Sequence, residues 1–271
     1  MNINDITITS IETITAFDVA SGSFKFVMDE LQNATISQSQ ESTEITGKGG
    51  RKLSTLKKNK AVTISGTNGM ISGGLLELQT GGTFENKATK VLWTDNLFAA
   101  KSTGDSATTS EATTTYKAVG TTGAEIESVY VKNTNGTLGA QLTQAASLAA
   151  GKFTYDPETK KLVFNLAEVA DGAEVVVYYK RNITANVLEN KSDVFSGKAT
   201  LFIDALAEDK CNNVYRVQFY IPKADFSGEF SFEMGDNQTV HSFEAEALVG
   251  ACGVGGTMWT YTIFGADTAD D

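Results

Sequence analysis

The sequence predicts an all-β protein of antiparallel strands, with one short helix and a β-rich insertion. Two observations carry this. The chain has only 2 Pro against 25 Gly among its 271 residues, with abundant Thr, Val, Ile and Phe, a composition of strands punctuated by glycine turns. Apolar residues also alternate with period two at Phe24 and Phe26, at Val175, Val177 and Tyr179, at Val217, Phe219 and Ile221, at Phe230, Phe232 and Met234, and at Trp259, Tyr261 and Ile263. That is the signature of half-buried strands.

In chain order, the first strands lead into a glycine-bearing basic stretch, GKGGRKLSTLKKNK, at residues 47–60. Its glycines predict a flexible loop. Met70 to Leu78 predicts a short helix closed by Gly81 and Gly82, although Gly73 and Gly74 weaken it. Residues 101–115 lack large apolar side chains and predict a linker, because they bury too little surface to offset their ordering entropy. Residues 116–190 carry their own strands, with turns at Asn135-Gly136, Asp156-Pro157 and Asp171-Gly172, and predict a β-rich insertion. It would interrupt a core domain made of residues 1–100 and 191–267. From residue 214 the chain predicts a β-meander, its first strand ended by Pro222 and its turns at Ser227-Gly228 and Gly235 to Asn237. Residues 268–271 predict a disordered tail.

Composition excludes several function classes. The formal charge of −11 argues against a DNA-binding surface, since phosphate recognition is driven by Lys and Arg. Such a charge serves solubility, or keeps a surface near DNA without adhering to it. No stretch approaches the roughly 18 consecutive apolar residues of a membrane span, so no membrane role is expected. The opening MNINDITITSIETITAF does not read as a signal peptide, and synthesis in the cytoplasm is expected. There the Asn-x-Ser/Thr triplets would carry no glycan. Cys211 and Cys252 cannot form a disulfide framework, and both are expected as small buried hydrophobes.

The catalytic inventory is thin. His241 is the one histidine, in a strand pattern beside Phe243, and reads as a hydrogen-bonded sheet residue. No Ser-His-Asp or Cys-His arrangement has local support, and neither Gly47-Lys48 nor Gly197-Lys198 makes a phosphate-cradling loop. Two cysteines and one histidine reproduce no zinc spacing, and the acidic stretch Asp204 to Asp209 has no EF-hand alternation. The expectation is no enzyme, no cofactor and no metal. Against the acidic background stands the basic cluster of Lys48, Arg51, Lys52, Lys57, Lys58 and Lys60. It reads either as a solvated loop or as an arm that docks on an acidic face of a neighbouring copy. Without interleaved aromatic residues, single-strand stacking is the poorer reading.

The segment ITGKGGRKLSTLKKNKAVTISGTNGMISGGLLELQTGG with the later VLWTDNL resembles the N-terminal half of the major tail tube proteins of tailed bacteriophages. YRVQFYIPKADFSGEFSFEMGDNQTVHSFEAEAL and MWTYTIFG are similar to the closing strands of that family. The resemblance covers residues 1–100 and 191–265. It implies a β-sandwich or half-open barrel with one helix, assembling into hexameric rings that stack into a hollow virion tail tube, without cofactor or reaction. It also implies tape measure and tail-terminator proteins as partners, a sheath protein in some tails, and transient passage of DNA. An all-β chain with open edge strands must pair, cover or charge them, and ring closure together with stacking does so.

On that reading Phe230, Phe232 and Met234 face the core and leave Glu229, Ser231 and Glu233 outward. Phe243, Ala245 and Ala247 do the same for Glu244 and Glu246. Glu229, Glu233, Glu244 and Glu246 are then expected on an acidic lumen wall, and the basic cluster on an inter-ring or inter-subunit loop. Duplex DNA carries a charge about every 1.7 Å, so a cationic wall would hold it and an acidic wall lets it slide. The competing readings are an Ig-like or adhesin-type surface module, a head decoration protein or sheath subunit, and a β-fold hydrolase.

Overall fold

The computed structural model describes residues 5–104, 106–233, 240–249 and 256–265. It is all-β, 62% strand and 4% helix, with two sheets, one curled into a half-barrel. Contacts divide the chain into two compact units, one of Met1–Phe84 with Leu188–Asp271 and one of Glu85–Val187.

The first unit begins with β1 (Ile6–Asp18), β2 (Phe24–Met28), β3 (Leu31–Thr46), β4 (Lys52–Asn68) and α1 (Gly73–Thr80). The second holds β5 (Glu85–Phe98), β6 (Ala100–Lys101), β7 (Thr109–Thr113), β8 (Ile126–Lys132), β9 (Leu138–Gln144), β10 (Lys152–Asp156), β11 (Lys161–Asn165) and β12 (Glu174–Val187). The chain then returns through β13 (Lys198–Asp209), β14 (Val214–Phe226), β15 (Phe232–Glu233), β16 (Val240–Ala247) and β17 (Thr260–Gly265).

In the first unit the sheet runs β2-β1-β13-β14-β16-β4-β3, with β15 on β16 and β17 on β14. Four strands separate β1 from β3 in this order, yet the two touch, so the sheet curls on itself. Its concave side holds one core of Ile14, Met28, Val62, Ile64, Leu201, Ile221, Phe226 and Phe243, with Leu75 and Leu78 of α1 packed in. The helix starts at Gly73 rather than Met70, because Ser72 caps it by accepting from the Leu75 N–H at 3.4 Å. Gly81, in the left-handed conformation, closes it. Gly74 is required inside the helix, since a Cβ there would lie 2.6 Å from the Phe26 Cβ.

Three further expectations for this unit are corrected here. Pro222 does not end its strand: β14 runs through it to Phe226. Leu201 pairs with Ile221 and Ala199 with Ala224, so Pro222 sits in a bulge where its missing N–H costs no ladder bond. Phe24 is 60% exposed although Phe26 is buried. A register shift between Ala16 and Phe17 turns Phe24 to the convex face, where it meets Phe17 edge-on at 6.1 Å. Cys211 is exposed in the β13–β14 turn rather than buried, where Asp209 accepts from its N–H at 2.8 Å. Cys252, Met234, the turn at Gly235 to Asn237 and residues 268–271 lie outside the described residues.

The second unit orders its strands β5-β12-β8-β9-β10-β11-β7-β6 over a core of Val129, Phe153, Leu162, Phe164, Val175, Val177 and Tyr179. The contacts part the chain at 84/85 and 187/188, not at 100 and 190. The reason is that β5 pairs with β12 throughout, from Glu85↔Val187 to Phe98↔Glu174. Within 101–115, Thr109–Thr113 is strand β7, paired with β11, so this stretch is not wholly a linker. Ser110 is fully buried, donating to the Val169 carbonyl at 2.6 Å, and Ala112 is in the core. At the heart of the unit Asp95 accepts from Tyr179 Oη at 2.8 Å, from the Thr115 N–H at 2.7 Å and from Trp93 Nε1 at 2.9 Å. The Arg181 guanidinium lies against the rings of Trp93 and Tyr116, 4.5 and 3.7 Å from their centroids, and the two rings meet edge-to-face at 5.1 Å.

Candidate functional site

Two surfaces of the first unit collect the site residues expected from the sequence. The first is the basic stretch. It is no flexible loop: β4 starts at Lys52 and pairs with β3 down to the Thr46↔Lys52 contact, so most of the stretch is a two-stranded ribbon. β16 pairs with β4 only from Thr63 to Asn68, leaving the part below Ala61 paired with β3 alone. Its residues are exposed on both faces from Ser37 to Thr46 and from Arg51 to Lys60. Alternating Thr, Ile, Leu and Ser side chains support this pairing, and the glycines are confined to the tip, where Lys48–Gly50 forms a 3-10 turn. Asn59, at φ 50, bulges between the Ser39↔Ala61 and Glu41↔Lys58 pairs. Its side-chain amide donates to Glu41 Oε2 at 2.7 Å, pinning the bulge.

This ribbon, here called the arm, gathers all six basic residues at its tip and along one strand. Lys52 pairs with Glu44 across the ribbon, while Lys48, Arg51, Lys57, Lys58 and Lys60 are exposed and make no ion pair among the described residues. Sequence reasoning missed the aliphatic side chains between them: Ile45, Leu53 and Leu56 are 48%, 57% and 56% exposed.

The second surface is the convex face of β16, β4 and β3. Phe243, Ala245 and Ala247 are buried in the core, and Glu244 and Glu246 are exposed on the opposite side, as strand alternation requires. Glu244 pairs in register with Ser65, and Glu246 with Thr63. Beyond them on β3 come Thr35, opposite Ser65, and Ser37, opposite Thr63. This patch therefore joins carboxylates to hydroxyls and contains no Lys or Arg. On the opposite, core-facing side of β4 Gly66 lies against Phe243, where a Cβ would lie 2.6 Å from the Asn33 carbonyl and 2.8 Å from the Phe243 ring.

Glu229 and Glu244 line one open hollow of about 480 Å³ with Asn33, Ser65, Thr67 and Ser231. The structure thus brings Glu229 next to the face that carries Glu244 and Glu246. The expected strand at 229–234 is described only as Phe232–Glu233, with Phe230 and Phe232 half-buried against the His241 ring at 6.1 and 4.9 Å. The Glu233 side chain lies outside the described residues. The hydroxyl lawn of β3 and β4 was not singled out from the sequence, although Thr35, Ser37, Thr63 and Ser65 alternate there with Ala34, Ile36, Val62 and Ile64.

His241 is fully buried, and both ring nitrogens are engaged. Ser72 N–H donates to Nδ1 at 3.3 Å, so the proton sits on Nε2, which donates to Gln79 Oε1 at 2.8 Å. Burial pushes the imidazole below its ordinary pKa. The residue fastens α1 to the sheet. Asp204 and Asp209 are likewise engaged by side chains and backbone of their own hairpin, and no group of metal-ligating side chains occurs among the described residues.

An arm with unpaired cations, a cation-free acidic face and a curled sheet with open margins at β2 and β3 form the setting for the comparison with known proteins. Residues 6–260 match the model of the YomU/Tube protein family. The chain belongs to that family. YomU/Tube is a phage tube-like family, in agreement with the resemblance to tail tube proteins, and this member is a phage tube-like structural protein. The match spans both units of the YomU/Tube chain, the insertion included. No curated protein matches it. No helix among its described residues is long and apolar enough to cross a membrane.

Proposed function

We propose that the protein is the subunit of a phage tail tube, closing into hexameric rings that stack around a channel for DNA. The observation that carries this reading is the joint presence, on one half-barrel, of open sheet margins at β2 and β3 and an exposed paired arm. Open margins invite pairing with another chain. A heterologous contact that closes by rotation gives a ring, and a second one that does not close gives a filament.

The convex face of β16, β4 and β3 is the wall of the channel, with Glu229, Glu233, Glu244 and Glu246 facing passing DNA. Carboxylates and hydroxyls there offer phosphate no cation, so no counterions are released and DNA is not retained. The arm, through Lys48, Arg51, Lys57, Lys58 and Lys60, engages a neighbouring copy. The unit of Met1–Phe84 with Leu188–Asp271 builds the tube, and Glu85–Val187 is the insertion. The subunit acts in the virion tail as a structural part, without cofactor or reaction, and its one histidine holds α1 to the sheet. Tape measure and tail-terminator proteins, and in some tails a sheath protein, are its partners.

Negative-stain microscopy of the purified protein tests this. Rings or tubes with a central hole support the reading. Monodisperse monomers at all concentrations contradict it and favour an adhesin-type module.

A further inference from the structure

On the open side of the half-barrel, between β1 and β3, the concave face leaves an apolar groove of about 380 Å³ lined by Ile8, Ile11, Ala34, Ile36, Phe219 and Trp259. Ile8 is 46% exposed there. At the rim Trp259 Nε1 donates to Gln38 Oε1 at 3.3 Å. Ile11, Ala34, Ile36, Phe219 and Trp259 are half-buried there, packed against the edge of the core.

The geometry points to the arm of a second copy as its occupant, with Ile45 and Leu56 as the side chains that enter. This rests on the tube reading and deepens it by naming the surface that receives the arm. Ile45 and Leu56 lie on one face of the ribbon: Thr43 pairs with Leu56 and Ile45 with Ser54, which makes them diagonal neighbours on that face. Both stand in water on a ribbon with no core of its own.

The protein's own arm cannot reach its own groove. The arm leaves from Gln38, at the groove rim, and a strand rises about 3.4 Å per residue. Ile45 and the Thr43–Leu56 pair therefore sit roughly 17–24 Å out along a fully paired ribbon. Charge favours the same match. The arm holds six basic residues against Glu41 and Glu44, whereas the ends of β1 and β13 nearest the groove carry Asp5, Glu208 and Asp209 against Lys210, which is itself paired with Asp5.

Crosslinking between copies decides it. With Cys211→Ser and Cys252→Ser in every chain, a copy carrying Leu56→Cys is mixed with one carrying Ile8→Cys, assembled, and treated with a short bis-maleimide. A parallel mixture replaces Ile8→Cys by Thr35→Cys, on the opposite face of the sheet from the groove, and Ile45→Cys serves as a second arm probe. The expected result is a covalent dimer in the Ile8 mixtures that is lost in the Thr35 mixture. Rings or tubes that form without that dimer, or with equal dimer in both mixtures, overturn the groove assignment and leave the tube reading standing. If folded protein, checked by circular dichroism, forms no particle at all, both fall.

Discussion

His241 Nε2 lies 2.8 Å from Gln79 Oε1, a buried hydrogen bond between the last core strand and the one helix, separated by 162 residues in sequence. Gln79 then donates through its amide to the Ser242 carbonyl at 3.0 Å, so the helix is tied to β16 at two adjacent residues. His241→Leu keeps the volume but leaves the Ser72 N–H and Gln79 Oε1 unpaired in the core. The expected loss is about 1–3 kcal/mol, measured by chemical denaturation of the monomer at low concentration.

The same residue makes stability depend on pH. Its imidazole is held below its ordinary value by burial, so the unfolded chain binds the extra proton more readily than the folded one. The contribution is whole above the unfolded pKa of about 6.5 and is lost as pH falls below it toward the folded value. The expected outcome is a fall in the denaturation midpoint between about pH 7 and pH 5. It should be clearly shallower in His241→Gln, which carries no titrating ring.

In the second unit Tyr179→Phe removes the hydroxyl that donates to Asp95 and accepts from the Tyr116 N–H at 3.0 Å. Burial works to raise the Asp95 pKa, but the bonds from Thr115, Tyr179 and Trp93 win and hold it below the ordinary carboxylate value. A depressed carboxylate stabilises the fold above its unfolded pKa and loses that effect as pH falls through the folded one. Tyr179→Phe is expected to cost about 1.5–3 kcal/mol near neutrality and to move the acid transition to higher pH. Hydrogen exchange of β5 and β12 reads both.

Reversing Glu229, Glu233, Glu244 and Glu246 to Lys is expected to leave ring assembly intact while slowing genome ejection. A cationic wall releases counterions from DNA and retains it. Ejection of DNA from phage carrying the four changes, followed by nuclease sensitivity, gives the readout, and normal ejection removes the lumen assignment.

Lys57→Glu with Lys58→Glu changes two exposed residues of the arm that make no ion pair among the described residues. The monomer is expected to keep its circular dichroism and denaturation midpoint, since exposed charges contribute little to stability, while polymerisation stops. Sedimentation separates the two effects.

Strand alternation made much of the first unit legible in advance. Val217 and Ile221 are buried, and Phe243, Ala245 and Ala247 lie inward with Glu244 and Glu246 outward. Bulges hid the rest. A single extra residue at Asn59, at Pro222 or near Phe24 exchanges the faces beyond it or carries a strand past an apparent stop. Strand β7 carries no hydrophobic mark in the sequence because its buried side chains are Ser110 and Ala112, too small to show one. The glycines that suggest a flexible arm occupy only its tip. Its aliphatic face emerged once the Thr43↔Leu56 and Ile45↔Ser54 pairs set the register.

The most direct measurement is a cryo-microscopy reconstruction of the protein assembled from pure subunits. The expected result is a stacked ring in which the margins at β2 and β3 meet neighbouring copies and Glu244 and Glu246 project into a continuous pore. Particles without a pore, with both margins left to solvent or covered within a single chain, would contradict it.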